Sequence, residues 1–429
     1  MARIYLKKGR EDSLKRFHPW IFSGAIESTD KTIKEGDHKK GGIAEGDLVE
    51  VCSNSGEFLC MGHFQIGSIA VRILSFDKSA SEKDFWFDRL SHARELRAKT
   101  ICTTTCNDSQ PTDCYNSQPT DCYRLVHGEG DMLPGLIIDF YNGVAVIQCH
   151  SAGMFLNRDA IADALKKLYG SDLKAIYDKS SATAPFKAGL ELNDSYLYKS
   201  DGFNAQNHIV TENGIQFAVD WEGGQKTGFF LDQRENRELV KRYSAGKRIL
   251  NLFCYTGGFS LYALSGGAVS VDSVDSSSKA MESLEKNLLL NNFPGSVQGG
   301  QIDNSQIHNS YCTDAIEFIK NCKEGSYDLI IVDPPAFAKH RGALNNALRA
   351  YQRLNYAAIN AVAPGGIIFT YSCSQVVDKI SFAQAVFSAA AQTGRKVRII
   401  DRLTQPADHP VNIYHPEGEY LKGLVLFVE

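Results

Sequence analysis

DLIIVDPPAFAK, at Asp328–Lys339, indicates more strongly than any other stretch how this chain folds. An apolar run ends here on an acid, two prolines and an aromatic residue, a pattern typical of a buried strand that stops at the carboxyl edge of a sheet. Each proline fixes its own φ and restricts the residue before it, so Asp333, Pro334 and Pro335 should form a stiff arm. The sequence therefore predicts a carboxylate and an aromatic ring held in set directions at this edge.

On both sides of this stretch, strand candidates alternate with helix candidates from about residue 209 onward. Seven strand candidates with a late pair predict an α/β fold with a doubly wound, Rossmann-like sheet, which resembles that of class I methyltransferases. The strands of interest here are RILNLF (248–253), AVSVDSVD (268–275), DLIIVD (328–333) and IIFTYS (367–372). The predicted helices include Ser278–Asn292, Ala315–Lys320, Leu344–Val362 and Phe382–Ala391.

The residues before this region predict two further domains. Residues 1–76 carry short alternating strands separated by turn residues, which predicts a small β-barrel. Residues 77–200 predict a central α/β module with a helix at Asp84–Lys99, a hairpin from LIIDFY and GVAVIQCH, and a helix at Phe155–Tyr169. Residues 201–429 form the third predicted domain, so the division agrees with the size expected of a 429-residue chain.

Composition is that of a folded protein with reduced thiols. The chain is 43% apolar and lacks an apolar run long enough to cross a membrane, and its basic start lacks the apolar segment of a secretory signal. Its 11 Cys, an odd number without a framework pattern, favour an intracellular protein, and we expect a cytoplasmic one. The net charge of −4 is uninformative, but the first 20 residues carry six Lys or Arg against two acids.

A perfect repeat of SQPTDCY occurs at Ser109–Tyr115 and Ser117–Tyr123. Two copies are too few for a solenoid, so we interpret residues 107–123 as a duplication within a surface loop. The repeat brings four thiols close in sequence, which raises the alternative of a zinc site. Because paired CxxC knuckles are missing, solvated loop thiols are favoured and no metal is expected; the cysteines are Cys102, Cys106, Cys114 and Cys122.

Cofactor-binding candidates lie at the ends of the first two strands of the third domain. Strand RILNLF leads through CYTGG into a helix, so Gly257 and Gly258 should allow a ligand to approach the backbone. An acid at the end of the next strand can accept hydrogen bonds from a ribose diol, and Asp275 is favoured over Asp272 because it directly precedes a helix. Asp314 could contact an adenine amino group, or it could be an ordinary helix cap.

Cys373 is the candidate nucleophile. It follows strand IIFTYS at the sheet edge that also carries Asp333, where a thiol can add to C6 of a cytosine and make C5 nucleophilic toward a methyl donor. Asp333 can assist by hydrogen bonding or protonating N3. Phe337 could stack on the base, or it could cap the core. A buried inert thiol is the alternative for Cys373.

Basic and aromatic residues are interleaved near the start of the chain. Arg10, Lys15, Arg16 and His18 lie close to Trp20, a composition suited to phosphate contacts and base stacking. A solvated loop beside a core Trp is the alternative.

Taken together, several of these segments resemble one known family. NLFCYTGGFS, VDSSSKAMESLEKNLLLNN, DPPAFAK, PGGIIFTYSCS, GGQKTGFFLDQRENR and QPADHPVNIYHPEGEYLKG look like the bacterial large-subunit (23S) ribosomal RNA cytosine-C5 methyltransferase I family. The start KGREDSLKRFHPWIFSGAI is similar to that family's amino-terminal PUA domain. The resemblance spans nearly the whole chain.

The resemblance implies an S-adenosylmethionine-dependent enzyme that methylates C5 of a cytosine in ribosomal RNA. By this resemblance Cys373 is the nucleophile and Asp333 the motif acid, and both belong to the active site. It also implies that Arg234 lines the methionine end of the cofactor together with Gln233. With the residues proposed above, the full set of candidate cofactor contacts is Gln233, Phe253, Tyr255, Thr256, Gly257, Asp275, Asp314 and Asp333. The candidate RNA contacts are Pro334, Phe337, Lys339, Arg10 and Arg16.

The arm departs from many cytosine-C5 RNA methyltransferases, because DPPAF holds no second Cys. Release of the covalent adduct then needs another base. A guanine methyltransferase acting at N2 or N7 without a thiol is therefore an alternative, and a noncatalytic RNA-binding or ribosome-assembly factor is an alternative from another class. A homodimer is left open, and no membrane partner is expected.

Overall fold

The protein is described by a computed structural model over residues 1–30, 42–78, 84–101, 119–185, 189–206, 208–293 and 307–429. These residues form two compact units. Unit 1 comprises Met1–Val210, Val219–Leu231 and Ala407–Gly418, and unit 2 comprises Thr211–Ala218, Asp232–Pro406 and Glu419–Glu429. The predicted domain boundaries at 76/77 and 200/201 stay predictions.

The elements of unit 1 are two groups of strands with four helices among the described residues. In chain order they are β1 (Ala2–Leu6), α1 (Asp12–Lys15), β2 (Trp20–Phe22), β3 (Ile26–Thr29), β4 (Leu48–Cys52), β5 (Phe58–Phe64), β6 (Ile69–Ser75), α2 (Phe85–Thr100), β7 (Cys122–His127), β8 (Leu136–Tyr141), β9 (Val144–Cys149), α3 (Ala152–Leu156), α4 (Arg158–Tyr169), β10 (Ala175–Asp178) and β11 (Ser195–Lys199).

The first six strands of unit 1 form one sheet in the order β2-β6-β5-β4-β1-β3. Alternate residues of β1 and β4 point to a buried core, in which Ile4, Val49 and Val51 are fully inaccessible to solvent. This period of two is what the sequence predicts for half-buried strands. Strands β1–β6 therefore form one small sheet, as the short alternating strands predict.

A second sheet of unit 1 has the order β11-β10-β9-β8-β7. Its β8 and β9 pair antiparallel, with Ile138 opposite Ile147, which confirms the predicted hairpin. The predicted helix Phe155–Tyr169 is instead divided into α3 and α4 at Asn157. The Asn157 side chain donates to the Gly153 carbonyl at 2.8 Å, an asparagine contact that competes with continuous helix.

Residues 407–418 belong to unit 1 although they lie near the end of the chain. The Asp408 side chain accepts a hydrogen bond from the Arg124 backbone amide at 3.0 Å, and its carbonyl accepts one from the Arg97 guanidinium at 2.8 Å. Arg97 is buried and also pairs with Asp131. The buried charges of this segment are therefore compensated within unit 1, as a buried ion requires.

The elements after β11 begin with a short hairpin and continue into a helix-flanked sheet. In chain order they are β12 (Ile209–Glu212), β13 (Ile215–Ala218), α5 (Arg234–Tyr243), β14 (Arg248–Leu252), α6 (Gly258–Ser265), β15 (Ser270–Asp275), α7 (Ser278–Leu290), β16 (Ile307–Cys312), α8 (Ala315–Lys320), β17 (Tyr327–Val332), α9 (Leu344–Ala361), β18 (Val362–Ser372), α10 (Lys379–Thr393), β19 (Val397–Leu403) and β20 (Lys422–Val428).

Unit 2 is built on a seven-stranded sheet with the order β16-β15-β14-β17-β18-β20-β19. The strands from β14 to β18 pair parallel with their neighbours, whereas β20 is antiparallel to both β18 and β19. This arrangement confirms the predicted doubly wound sheet with a late pair. Residues of β14 and β17 are buried on both faces, as expected of central parallel strands covered by helices.

Most predicted helices of unit 2 end within a few residues of the observed ones, and the largest difference is at α10. The prediction began at Phe382, but the helix begins at Lys379. Asp378 precedes it and accepts a hydrogen bond from the Ser381 backbone amide at 2.8 Å, so an aspartate cap adds the first turn.

The strand order reverses between β14 and β17, the two central strands of unit 2. In open α/β sheets, a crevice for ligands forms at the carboxyl ends of strands at such a point. The residues that follow β14, β15, β17 and β18 therefore meet at one edge. These include the predicted cofactor loop, Asp275, Asp333 and Cys373.

The duplicated segment at 107–123 lies mostly outside the described residues. Cys102, Cys106 and Cys114, together with the first copy of SQPTDCY, lie outside the described residues. The expectation of a solvated loop thiol is wrong for Cys122, which is fully buried at the start of β7. None of the helices in the described ranges combines the length and apolar composition that a membrane crossing needs.

Candidate functional site

The loop after β14 has an unusual backbone. Phe253 and Tyr255 have φ of 58° and 48°, and Gly257 has φ of 84°. Residues other than glycine rarely adopt such φ values. These conformations persist where the surrounding structure enforces them, often at ligand sites. The loop is held by the Cys254 amide, which donates to the Val274 carbonyl at 3.0 Å.

Gly257 also lies in a tight space. A Cβ added here would come within 2.1 Å of Leu284 Cδ1. On the other side of the loop, the buried Asn287 side chain donates to the Thr256 carbonyl at 2.9 Å. Helix α7 thereby fixes the loop backbone, and the sequence pattern gave no indication that Asn287 does so.

Asp275, at the end of β15, binds the backbone of this loop. Its Oδ2 accepts a hydrogen bond from the Tyr255 amide at 3.0 Å, and its Oδ1 accepts one from the Ser277 amide at 2.9 Å. Asp272, which was expected to face solvent, is half-buried instead. It accepts hydrogen bonds from Tyr327 Oη at 2.7 Å and from Asn309 at 2.8 Å, so it is engaged away from the strand end.

Three side chains form a polar cluster at the end of β17. Gln233 Nε2 donates to Asp333 Oδ2 at 2.9 Å, and Asn236 donates to Gln233 Oε1 at 2.6 Å. Burial first, and the nearby Asp232 second, raise the pKa of Asp333 to about 7. A carboxyl group at this position can therefore exist in both protonation states near neutral pH.

Two buried polar atoms in this region have no hydrogen-bond partner among the residues that the structure describes. One is Asp232 Oδ1, whose companion Oδ2 accepts from Tyr420 Oη at 2.7 Å. The other is the hydroxyl of Tyr371, whose ring stacks on Phe259 at 5.6 Å. Unsatisfied buried polar groups are costly, so they point to a ligand at this place.

These groups fit S-adenosylmethionine. Its sulfonium and amino group are positive, and Asp232 and Asp333 supply carboxyl groups for them. Its ribose diol can donate to an acid at the end of the second strand, where Asp275 lies. The strained loop from Phe253 to Gly257 exposes backbone for close approach.

Cys373 follows β18 and is half-buried. β18 pairs parallel with β17, and Thr370 lies opposite Val332, so Cys373 and Asp333 come after the ends of adjacent strands. Burial, and then the carboxyl groups of Asp333 and Asp232, raise the pKa of the Cys373 thiol to about 12. The two predicted catalytic side chains are thus brought to one place, but the thiol is not ionised on its own.

The residues on either side of Cys373 anchor it. Ser372 Oγ donates to Tyr351 Oη at 2.9 Å, and Ser374 Oγ donates to the Ala338 carbonyl at 2.7 Å. Ala338 belongs to the arm that follows Asp333, so the arm and the thiol are held together. Phe337 packs half-buried on the Tyr351 ring at 4.8 Å between centroids.

Lys422 was not among the predicted site residues. It is 6% exposed, lies opposite Ser372 in the antiparallel pairing of β18 with β20, and donates through Nζ to the Ser374 carbonyl at 2.5 Å. Burial lowers its pKa to about 8. Its only sequence signal is a position in the EYLKG segment, which does not reveal the contact.

The remaining predicted residues of unit 2 differ in exposure. Asp314 is exposed and caps α8, where its Oδ1 accepts from the amides of Ile316 and Glu317 at 2.9 Å each. Pro334 is buried, whereas Lys339 is exposed on the arm.

Arg10 and Arg16 belong to unit 1 and are considered there alone. Arg10 lines a cavity of about 280 Å³ together with Ser13, Trp20 and the exposed Phe22. Arg16 is exposed, and its Nε donates to the Asp12 carbonyl at 3.2 Å. A cation and aromatic rings therefore meet at one concave surface, an arrangement suited to nucleotides.

Family models match two parts of the chain. That of S-adenosylmethionine-dependent methyltransferases matches residues 123–424, and that of the PUA-like domain matches residues 4–76. The fold is shared with solved structures. A candidate methyltransferase complexed with SAH superposes with a TM-score of 0.77 and 22% identity, and a candidate SAM-dependent methyltransferase from Streptococcus mutans with 0.76 and 22%, each over 100% of both chains.

Similarity to curated relatives extends over the full length. The chain is 38% identical to the ribosomal RNA large subunit methyltransferase I of Aeromonas salmonicida over 427 residues, covering 99% of this chain and 98% of the relative. It is 37% identical to the protein of that name from Photobacterium profundum over 431 residues, 99% of each. The chain therefore belongs to the ribosomal RNA large subunit methyltransferase I family of S-adenosylmethionine-dependent methyltransferases.

Proposed function

We propose that the protein methylates C5 of a cytosine in large-subunit ribosomal RNA through a covalent adduct of Cys373. The observation that carries this proposal is the placement of Cys373 and Asp333 after adjacent parallel strands, β18 and β17, beside the cofactor loop. The names of the full-length relatives support ribosomal RNA as the substrate.

In this proposal the Cys373 sulfur adds to C6 of the cytosine. Asp333 in its protonated form donates to N3 and so makes the ring more electrophilic, a role that its pKa of about 7 permits near neutral pH. When bound, S-adenosylmethionine supplies an electrophilic methyl group for C5. Loss of the C5 proton to a base then expels the thiolate and restores the aromatic ring.

The cofactor residues have distinct proposed tasks. Asp275 accepts from the ribose, and the loop Phe253, Tyr255, Thr256 and Gly257 lies against the nucleoside. Gln233 holds Asp333 in place through the 2.9 Å hydrogen bond. Asp314 accepts from the adenine amino group through Oδ2, because Oδ1 is used by the cap.

Each of the two units is proposed to supply RNA contacts of its own. On unit 2, Phe337 stacks on the extruded base, Pro334 stiffens the arm and Lys339 contacts phosphate. On unit 1, Arg10 and Arg16 contact phosphate beside aromatic rings. Phosphate contacts of this kind weaken with salt, so RNA binding by the full chain should fall as ionic strength rises.

The nucleophile assignment is tested by Cys373→Ala. This variant should lose methyl transfer to large-subunit ribosomal RNA and keep S-adenosylmethionine binding, because the thiol forms the adduct and does not hold the cofactor. Nucleoside mass spectrometry measures the first property and calorimetry the second. Cys312→Ala is the matched control, since Cys312 is an exposed thiol at the end of β16 and should not matter. Retained turnover in Cys373→Ala would remove Cys373 from the mechanism.

A guanine methyltransferase is the second candidate. The specific observation in its favour is the arm sequence DPPAF, which offers no second thiol to release an adduct. The same mass spectrum decides, because methylguanosine and 5-methylcytidine are separate products.

A further inference from the structure

A buried lysine lies at the candidate nucleophile and is not explained by folding alone. Lys422 Nζ donates to the Ser374 carbonyl at 2.5 Å, while its backbone lies opposite Ser372. The side chain therefore extends along the end of β18 from the level of Ser372 to Ser374, the two residues that flank Cys373. No ion pair of Lys422 is found within the described ranges of the chain.

Burying an amine without a carboxylate partner is unfavourable, and such lysines are often functional. A leucine or methionine at this point of β20 would satisfy the sheet without the cost of burying an amine. The carbonyl of Ser374 takes one of three possible donors, which leaves the amine free to interact with the thiol.

The charged groups around this pair come from several elements. Cys373 is influenced by Asp333 and Asp232, which disfavour the thiolate, and by Lys422, which favours it. It also interacts with the hydroxyl of Tyr351 on α9. The groups that act on Lys422 besides Cys373 are Asp378, Glu419 and Lys379. Lys422 is therefore the cation that counters two acids at the thiol.

We propose that Lys422 accepts the proton of the Cys373 thiol as the sulfur attacks. This inference rests on the proposed role of Cys373 as nucleophile. The S–H bond breaks, an N–H bond forms on Lys422, and the sulfur electron pair forms the bond to C6 of the cytosine. The π pair of the ring moves toward N3, which takes a proton from Asp333. Lys422 thus acts through Cys373, and its ammonium remains to stabilise the thiolate when the adduct later collapses.

The pair must lose one proton before it can react. After this loss the pair is either a thiol with a neutral amine or a thiolate with an ammonium. Both forms have the same total charge, so the two groups titrate as a unit. Burial places the pKa of Lys422 at about 8. The reactivity of Cys373 should therefore rise through about pH 8, well below the thiol pKa of about 12.

Alkylation of Cys373 by iodoacetamide tests this in the full chain without RNA. The rate is followed by peptide mass spectrometry from pH 6 to 10, and wild type should show an inflection near pH 8. Lys422→Met, which keeps the length of the side chain, should lose the inflection and react about tenfold more slowly at pH 8, the effect of one pKa unit. Cys312, exposed at the end of β16, is an internal control whose profile should not change.

Lys422→Arg separates proton transfer from charge. Arginine stays protonated, so it can stabilise a thiolate but cannot accept the thiol proton. The inflection near pH 8 should therefore be absent in Lys422→Arg as it is in Lys422→Met. A wild-type profile in either variant would overturn the proposal, as would a wild-type protein without the inflection. The last outcome needs no variant, so the test survives if Lys422→Met fails to fold. Melting temperature and S-adenosylmethionine binding report whether each variant is folded.

The experiments distinguish failure of the lysine proposal from failure of the proposed function. If mass spectrometry finds methylguanosine, the cytosine assignment is wrong, yet the alkylation profiles still report on the coupling of Lys422 and Cys373. If 5-methylcytidine is found and the profiles are unaffected by Lys422→Met, only the lysine proposal is overturned. If both proposals are correct, Lys422→Met should lower kcat and leave the KM for S-adenosylmethionine nearly unchanged.

Discussion

Asp328 lies near the amino end of β17 and Asp333 directly follows its carboxyl end, and the pKa values of the two carboxyl groups are shifted in opposite directions. Hydrogen bonds from Arg248, chiefly through its side chain, lower the pKa of Asp328, whereas burial and Asp232 raise the pKa of Asp333 to about 7. The first acid is ionised at low energetic cost at the amino end of the strand. The second is unfavourable as a carboxylate, which is common for acids kept for function.

Asp333→Asn should stabilise the free protein above pH 7. The folded pKa of Asp333 is higher than the unfolded value of about 3.9, so its contribution to stability is full below that value and is lost as pH rises through about 7. Removing the charge should therefore gain roughly 1 to 3 kcal/mol at pH 8 and little at pH 4, while methyl transfer falls. Urea unfolding at several pH values measures this.

Asp328→Asn is the control for the opposite sign. The pKa of Asp328 is lower in the folded than in the unfolded protein. Its contribution to stability is therefore present above the unfolded pKa and is lost as pH falls through the folded pKa. Asp328→Asn should therefore destabilise the protein at pH 8. Equal effects of the two substitutions would contradict the assigned environments.

The loop between β14 and α6 shows how an element can be shaped by a ligand site. Three of its residues, Phe253, Tyr255 and Gly257, have positive φ, two of them with side chains. Asp275 and Asn287 hold this backbone from β15 and α7. A simple strand-to-helix turn needs no such support, so the strain is explained by the position of the loop at the cofactor crevice.

Gly257→Ala should disturb this element far more than Gly246→Ala. Both glycines have positive φ, 84° and 71°, so each substitution carries about 1 kcal/mol of backbone cost. A Cβ at 257 additionally meets Leu284 at 2.1 Å, whereas one at 246 meets nothing within 4 Å. Calorimetry should show S-adenosylmethionine binding at least about tenfold weaker for Gly257→Ala, because the loop is displaced. Equally weakened binding in Gly246→Ala would show that the effect is general instability.

At the scale of the whole molecule, unit 2 is assembled from three separate chain segments. The first, Thr211–Ala218, is attached to the rest by Arg237, which binds Glu212 through two hydrogen bonds of 2.8 and 2.7 Å. Both side chains are buried, and Tyr262 Oη donates to the same carboxylate at 3.0 Å. Such a pair is costly to break on one side only.

Arg237→Met should therefore destabilise unit 2 by about 3 to 5 kcal/mol, since it leaves the Glu212 carboxylate buried without its cation. Combining it with Glu212→Gln should recover part of this loss. The exposed pair of Arg248 and Asp328 supplies the control, and Arg248→Met should cost less than about 1 kcal/mol. Chemical unfolding of wild type, Arg237→Met, Glu212→Gln, their double variant and Arg248→Met gives the values. A double variant as unstable as the sum of its single variants would contradict a direct coupling.

The sequence alone was sufficient for the fold of unit 2 and for the neighbourhood of its site. Alternation of apolar strands and amphipathic helices depends on local periodicity, which the chain carries without tertiary contacts. The ends of parallel strands meet at one edge, so Asp333 and Cys373 could be placed together in advance. The helix boundaries at Asp378 and Asn157 differ from the predicted ones because each depends on a single side-chain hydrogen bond. Hydrophobic periodicity does not reveal such contacts.

Tertiary structure alone decided the protonation chemistry of the site. Burial raises the pKa of Asp333 and Cys373 and lowers that of Lys422, and burial is a property of the packed molecule. Lys422 reaches the Ser374 carbonyl, next to Cys373 in the chain, because β20 runs antiparallel to β18, and antiparallel pairing joins residues that are distant in the chain. A sequence pattern shows which groups are present, but their charge states depend on which neighbours exclude water from them.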